Sequence, residues 1–245
     1  MTDRLTRRVA RRLPGRAAST RSRRDLGYVF IVTYGRSGST LLQGVLNSIP
    51  GYLVRGENRQ ALRHLHAFHQ VAVEERQRQR RSQRRRGAEP GSHDASSAYY
   101  GIDRFPVRRS LAGIRRLALD TLLRPEPDTR VVGFKEIRWA REDVATYVAW
   151  LREVFPGARF VVNTRDLAAV SRSKWWADDP EARGTLEAVE GRLLALCESL
   201  GDAAFHVHYD DYADDPTALR PLFDWLGEEY DEPRLRQVFD TRHSY

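Results

Sequence analysis

The sequence has almost no cysteine and no long apolar run. Its 245 residues contain a single cysteine, Cys197, which excludes an internal disulfide framework and predicts a reducing compartment. No apolar run approaches the ~18 residues of a membrane span, and no apolar core of signal-peptide length follows Met1. With 41% hydrophobic and 30% charged residues, the composition is that of a globular chain. We therefore expect a cytoplasmic protein.

The net charge of +8 is concentrated in two segments. Residues 1–24 hold nine arginines against one aspartate, and residues 74–89 hold seven arginines against three glutamates. The rest of the chain is therefore net negative, which makes nucleic acid an unlikely partner for the whole protein. We predict a disordered basic tail over residues 1–26 and one domain over residues 27–245. An anion- or nucleic-acid-binding protein that uses the arginine-rich segments is one alternative.

Lysine is also scarce. Of the 41 lysine and arginine residues, only Lys135 and Lys174 are lysines. A lysine in so arginine-rich a chain is a candidate for a task that requires a compact ammonium group. Both lysines lie in segments that have other chemical features.

Short apolar runs alternate with helix-prone segments along the chain. Strands are predicted at residues 28–33, 52–54, 130–134, 159–164 and 205–209. Helices are predicted at residues 39–48, 58–86, 107–123, 141–154, 167–176 and 186–200, with a last helix that ends near residue 225. This order predicts an α/β fold, a parallel sheet of about five strands flanked by helices. Residues 58–106 form a helix/loop insertion, in which the glycine-, proline- and serine-containing residues 87–106 are expected to be a mobile loop or lid.

A loop rich in glycine and hydroxyl groups follows the first predicted strand. It reads Gly35-Arg36-Ser37-Gly38-Ser39-Thr40 and leads directly into a helix. Backbone N–H groups at such a strand–loop–helix junction can surround an anion. The loop lacks the Gly-Lys-Ser/Thr ending of a P-loop, which argues against ordinary ATP or GTP hydrolysis. A P-loop-type small-molecule kinase and a simple connecting turn are the alternatives.

A second anion-binding candidate follows the predicted strand 159–164. That strand ends at Arg165, and Ser173 follows eight residues later. Eight residues span about 12 Å in a helix, and a turn before the helix would shorten this distance. Both side chains are therefore predicted to reach one phosphate group.

Together the two segments resemble the sulfotransferases that use 3′-phosphoadenosine 5′-phosphosulfate (PAPS). The resemblance runs from about Tyr28 to Trp225 and implies a P-loop-like sulfotransferase fold. It places residues 35–40 at the 5′-phosphosulfate, and Arg165 and Ser173 at the 3′-phosphate. It implies PAPS as co-substrate, no required metal, and an acceptor hydroxyl on a glycan, a glycolipid or a small natural product.

Two further motifs extend the resemblance to catalysis. The segment Arg55-Gly56-Glu57-Asn58-Arg59 is similar to a Gly-Glu-Glu-Thr-Arg motif of tyrosylprotein sulfotransferases, which makes Glu57 the candidate general base. Arg55 and Arg59 are expected to hold it in place. A glutamate that stabilises a helix N-terminus is the alternative for Glu57.

The other motif surrounds Lys135. Tyrosylprotein sulfotransferases carry Lys-Asp-Pro here, and this chain departs from that pattern with Lys135-Glu136-Ile137. The resemblance implies that Lys135, helped by Arg36, neutralises charge on the bridging oxygen. A structural ion pair of Lys135 with Glu136 or another acid is the alternative, and Glu136 is the second candidate base.

The remaining aromatic and histidine residues give weaker predictions. His206 and His208 alternate on one predicted strand without a third metal ligand, so no metal site is expected. Trp175 and Trp176 are expected in the core or in the wall of a nucleotide pocket. The three histidines of the helix after Glu57 are expected at the surface or in the acceptor pocket; they are His64, His66 and His69.

Overall fold

A five-stranded parallel sheet forms the centre of the protein. The computed structural model describes residues 26–241, so residues 1–25 of the predicted basic tail and residues 242–245 lie outside the described residues. The strands are β1 (Gly27–Val32), β2 (Tyr52–Arg55), β3 (Val131–Glu136), β4 (Arg159–Thr164) and β5 (Ala204–His208). They are arranged in the order β2-β3-β1-β4-β5, and every pairing is parallel. The predicted α/β fold with about five parallel strands is confirmed.

Helices cover both faces of the sheet. In the described part of the chain they are α1 (Ser39–Ser48), α2 (Leu62–Arg85), α3 (Val107–Ala118), α4 (Val144–Val154), α5 (Leu167–Ser171), α6 (Ala182–Leu200), α7 (Tyr209–Tyr212), α8 (Arg220–Leu226) and α9 (Glu232–Phe239). A π-helical turn, Leu119–Leu123, extends α3. No helix within residues 26–241 is both long and apolar enough to cross a membrane.

The position of β1 at the centre of the sheet explains why its sequence is a continuous apolar run. Phe30 belongs to an apolar cluster that packs the sheet against α3, α4 and α6, whereas Val29 and Ile31 belong to a second cluster beneath α1 and α8. Both faces of β1 are therefore buried, as in parallel sheets generally. Because β1 pairs with both β3 and β4, the loops that follow these three strands meet at one edge of the sheet.

The predicted helix at residues 167–176 is interrupted, and this prediction was wrong in its second half. Helix α5 ends at Ser171, Ser173 is extended, and Lys174–Trp176 forms a 3₁₀ turn. The indole Nε1 of Trp176 donates to the Gly35 carbonyl at 3.2 Å. This tertiary contact competes with helix continuation and turns Ser173 toward the loop after β1.

The segment predicted to be a mobile loop or lid is attached to α2. Residues 87–106 are attached to the second half of α2 through Asp103, which is fully buried. Its Oδ2 accepts from Gln83 Nε2 at 2.9 Å and from the His93 amide at 3.0 Å, and Gln83 Oε1 accepts from the Gly91 amide at 2.8 Å. Burial alone would raise the pKa of Asp103, but these hydrogen bonds outweigh it and lower the pKa. The segment predicted to be a mobile lid thus has a fixed polar attachment.

Candidate functional site

A pocket of about 300 Å³ lies at the carboxyl ends of β1, β3 and β4. Parallel sheets place ligands at this edge. The lining includes most of the residues that the sequence singled out, namely Gly35, Arg36, Gly38, Ser39, Thr40, Glu57, Lys135 and Arg165. Ser37 and Ser173 do not belong to the lining.

The loop of residues 35–40, here called the anion loop, is shaped by Gly38. This residue has φ +75° and immediately precedes α1. A Cβ at this position would lie 2.0 Å from Cδ2 of Tyr209, so only glycine fits. Within residues 26–241, no side chain caps α1 and no acidic residue stands in its first turn. The first N–H groups of α1 therefore remain suited to bind an anion.

Ser37 holds the anion loop and does not face the pocket. It is fully buried, and its Oγ lies 2.7 Å from Thr33 Oγ1. Asn163 Nδ2 donates to the Ser37 carbonyl at 2.8 Å, and Tyr212 OH donates to Asn163 Oδ1 at 2.6 Å. This buried network ties the loop to β4. The structure thus gives Ser37 a structural position where the sequence predicted ligand binding.

Arg165 and Ser173, which the sequence predicted to reach one phosphate group, are each in contact with Arg36. Arg36 Nε donates to Ser173 Oγ at 3.0 Å, and Arg165 Nη1 donates to the Arg36 carbonyl at 3.2 Å. The Arg165 guanidinium also stacks 4.6 Å from the Tyr209 ring centre and lies 3.8 Å from Asp210 Oδ1. Arg165 is therefore held beside the anion loop, and Arg36 within it, in fixed orientations.

Tyr34 supports Arg165 from behind. Its hydroxyl accepts from the Arg165 amide at 2.9 Å and is also hydrogen-bonded to the Glu190 carboxylate. Burial, followed by the Glu190 hydrogen bond, raises the pKa of Tyr34, so the phenol stays neutral. The carboxyl end of β4 is thereby fixed against the anion loop.

Glu57 and Lys135 form an ion pair in the pocket. Lys135 Nζ donates to Glu57 Oε1 at 2.7 Å, and Arg138 Nη1 lies 3.6 Å from the other carboxylate oxygen. The Lys135 side chain is 6% exposed, whereas Glu57 is 35% exposed and therefore accessible. The expectation that Arg55 holds Glu57 was wrong, because Arg55 donates to main-chain carbonyls that follow α3. Arg59 likewise makes no ion pair among the described residues.

Glu136 positions the segment that carries Glu57. It is fully buried and does not line the pocket. Its Oε2 accepts hydrogen bonds from the main-chain N–H groups of Asn58 and Gln60 at 3.2 and 2.9 Å. Its Oε1 accepts one from the main-chain N–H of Ile137 at 2.8 Å. These bonds occupy both oxygens, so Glu136 is placed as a scaffold for the chain around Glu57.

Three aromatic pocket residues were missed or left undecided by the sequence. Trp175 is 52% exposed and covers Gly35, where an added Cβ would lie 2.6 Å from the indole. Tyr209 follows β5 directly, and its place at the carboxyl end of a strand was a usable signal. Phe239 lies on α9, where no sequence motif indicated a pocket residue. Trp175 is therefore a wall residue and not part of the core.

The histidines fall into two environments. His206 and His208 do share one side of β5, since each lies 2.8 Å from Thr164 Oγ1. Burial, followed by the charge of His208, lowers the pKa of His206. Of the three histidines expected at the surface or in the acceptor pocket, His64 is exposed, whereas His66 and His69 are buried against α4. Within residues 26–241, no group of three or more His, Cys, Asp and Glu side chains is placed to hold a metal.

The close contact at Gly38 gives a first prediction. Gly38→Ala should lower the free energy of unfolding by about 2–4 kcal/mol, because it adds a steric clash with Tyr209 to left-handed strain. Gly157→Ala is the matched control, since Gly157 has φ +77° and no atom within 4 Å of an added Cβ; it should lose only about 1 kcal/mol. Urea unfolding measures both variants. Equal losses would show that the contact with Tyr209 does not constrain the loop.

Comparison with known proteins agrees with this geometry. A sequence profile described as "Sulfotransferase family" matches residues 29–232. The chain belongs to the sulfotransferase family. A search among curated proteins finds no match.

Two solved structures show the same fold. One is a sulfotransferase domain from the Synechococcus PCC 7002 olefin synthase, with 18% identity, a TM-score of 0.52, and coverage of 89% of this chain and 79% of that one. The other is a sulfotransferase domain from the curacin biosynthetic pathway, with 16% identity and the same TM-score and coverage. The P-loop-like sulfotransferase fold expected from the sequence is confirmed.

Proposed function

We propose that this protein transfers a sulfuryl group from PAPS to a hydroxyl of a small-molecule, glycolipid or glycan acceptor. The observation that carries the proposal is that one pocket contains the anion loop, Arg165 and the Glu57–Lys135 ion pair. Groups suited to a phosphate-bearing donor, the anion loop and Arg165, thus lie in the same pocket as Glu57, a carboxylate that can accept a proton. Membership in the sulfotransferase family supports the same reaction class.

The pocket suits a polyanionic nucleotide. Among residues 26–241, its lining contains three cations, Arg36, Lys135 and Arg165, and a single acid, Glu57. The anion loop and the start of α1 suit the 5′-phosphosulfate. Arg165, which stacks on Tyr209, suits the 3′-phosphate. The Ser173 hydroxyl is hydrogen-bonded to Arg36 in the same region. The pocket volume lies near the lower end of the ~300–1,000 Å³ typical of small-molecule sites.

Glu57 is assigned the role of general base. It is the only acidic side chain in the pocket lining among the described residues, and it is accessible. When bound, PAPS supplies the activated sulfuryl group. Glu57 accepts the proton of the acceptor hydroxyl while the acceptor oxygen forms its bond to sulfur and the bond between sulfur and the phosphate oxygen breaks. The products are the sulfated acceptor and 3′-phosphoadenosine 5′-phosphate (PAP).

Lys135 and Arg36 are assigned to the leaving group. Negative charge develops on the phosphate oxygen as its bond to sulfur breaks, and a nearly buried ammonium group stabilises such charge strongly. Lys135 also keeps Glu57 oriented through their 2.7 Å contact. The transfer is direct and requires no covalent enzyme intermediate.

A transfer assay tests the proposal. The protein is incubated with PAPS and pools of phenols, sugars and aliphatic alcohols, and sulfated product and PAP are detected by mass spectrometry. We expect acceptor-dependent formation of both. The kinase alternative predicts instead a phosphorylated product with ATP and magnesium, and that result without any sulfated product would contradict the proposal.

Arg165 gives a sharper prediction for donor binding. Arg165→Ala should weaken binding of PAP by about 10–100-fold, because a hydrogen bond to a charged group contributes about 1.5–3 kcal/mol. Binding of 5′-AMP, which lacks the 3′-phosphate, should change little. Calorimetry of both nucleotides measures this, with Arg183→Ala on the exposed surface of α6 as the control. Equal losses of affinity for PAP and 5′-AMP would show that Arg165 does not bind the 3′-phosphate.

A further inference from the structure

A second pocket of about 500 Å³ adjoins the first. The two share Gly35, Ile137 and Trp175, so these residues form the boundary between them. The second pocket is lined by the segments that follow β1, β2 and β3, by the start of α2, by the two tryptophans and by α6. A molecule in it would lie next to the ion pair of the first pocket.

The charged side chains that line this second pocket in the described chain are all positive. Four arginines line it, namely Arg59, Arg63, Arg138 and Arg141, and no acidic residue within the described chain does so. Arg59 makes no ion pair among residues 26–241. Arg141 lies 3.6 Å from an Asp143 oxygen and is 71% exposed, so it is weakly neutralised. These two arginines leave a positive charge available to a bound anion.

Arg63 shapes the wall of the same pocket. It holds both Asp143 oxygens through Nη1 at 2.8 and 2.9 Å, and it stacks 4.3 Å from the Tyr147 ring centre. Its Nε and Nη2 are buried without a hydrogen-bond partner among the described residues, as is Oε1 of Gln60. Because these atoms are buried, they do not reach a ligand in the pocket, and the charge available there comes from Arg59 and Arg141.

The other side of the pocket is apolar. Ile137, Ala140, Val189 and the two tryptophans provide this surface. The half-exposed ring of Trp175 suits stacking on a flat or aliphatic body. A ligand with a charged end and an apolar body matches both sides.

The relation to Glu57 fixes which end of a ligand would react. Arg138 lines the second pocket and lies 3.6 Å from the Glu57 carboxylate, which belongs to the first. A hydroxyl delivered across the boundary at Ile137 would therefore reach Glu57. Arg59 and Arg141, which line the same pocket, would be available to an anionic group elsewhere on the ligand.

We infer that the second pocket binds the acceptor and selects one with an apolar body and an anionic group, a carboxylate or phosphate, in addition to the hydroxyl that is sulfated. The inference rests on the proposed function for its choice of acceptor. Uncharged sugars and simple alcohols are then poor substrates. The anionic group supplies orientation, and the apolar body supplies most of the buried surface.

Matched pairs of probes test this selectivity. The first pair is 6-hydroxy-2-naphthoate and its uncharged amide, and the second is a long-chain hydroxy fatty acid and its amide. Titration of the protein with PAP present should show the carboxylates binding about tenfold more tightly, since each exposed arginine contributes up to about 1 kcal/mol. The variant Arg59→Ala/Arg141→Ala should lose this preference and retain its affinity for PAP. Arg84→Ala/Arg85→Ala, on the exposed end of α2, is the charge-matched control and should keep it.

The outcomes separate the inference from the proposed function. Equal binding of acids and amides, no binding of either pair, or a preference that survives Arg59→Ala/Arg141→Ala would overturn the inference while PAP binding still supports the donor site. Failure of PAP to bind would remove the donor assignment. A carboxylate preference measured without PAP and lost in the double variant would still support an anion-selective second pocket.

Discussion

Lys135→Ala is expected to lower kcat by about 10²–10³-fold, the loss typical of removing one preorganised group that stabilises developing charge. The Lys135 side chain is 6% exposed and its Nζ lies 2.7 Å from Glu57 Oε1, so water screens the charge of the ammonium group only weakly. Affinity for PAP should fall by less than about tenfold, because Arg36 and Arg165 remain. Steady-state kinetics and calorimetry measure the two effects separately.

Two variants serve as comparisons for Lys135. Lys135→Arg keeps the charge but not the compact ammonium, and should recover only part of the activity. Arg84→Ala removes an exposed charge on α2 and should leave kcat unchanged. If Lys135→Ala raised KM with kcat unaltered, Lys135 would contribute to binding and not to the leaving-group step.

Glu57→Gln should lower kcat by about 10²–10⁴-fold, the usual contribution of a positioned general base. Glutamine has nearly the same shape as glutamate and can still accept a hydrogen bond from Lys135, so the fold should be preserved. The loss should be the same for an acceptor of any size, because the missing step is proton removal. Single-turnover measurements with PAPS already bound isolate this step from product release.

The control for Glu57 is Glu74→Gln, an exposed glutamate of α2 that should behave like the wild type. Full activity of Glu57→Gln would remove the assignment of the base. Glu136 is a poor replacement, because its two oxygens accept hydrogen bonds from the chain around Glu57. Glu136→Gln should instead lower stability, since an amide cannot accept all of these bonds.

Much of the architecture was predictable from local signals. The runs at β1 and β4 are apolar because both faces of each strand are buried, and the helix from Ser39 to Ser48 has the predicted bounds. The anion loop and Arg165 follow directly from strand ends. The parallel sheet then brings them to one edge, which is why a few motifs located the pocket.

The rest of the site depends on contacts between distant segments. The break after Ser171 places Trp176 where it bonds to the distant Gly35, and no residue in that helix signals it. The pairing of Lys135 with Glu57, instead of its neighbour Glu136, depends on where β2 and β3 end. Periodicity and propensity describe neighbours along the chain, so they do not report such partners.

The most direct test of the account is calorimetric binding of PAP to the wild-type protein beside ADP and ATP, without magnesium. The account predicts that PAP binds at least about tenfold more tightly than either, since Arg165 is placed for a 3′-phosphate that they lack. No preference for PAP would contradict the donor site on which the proposed transfer depends.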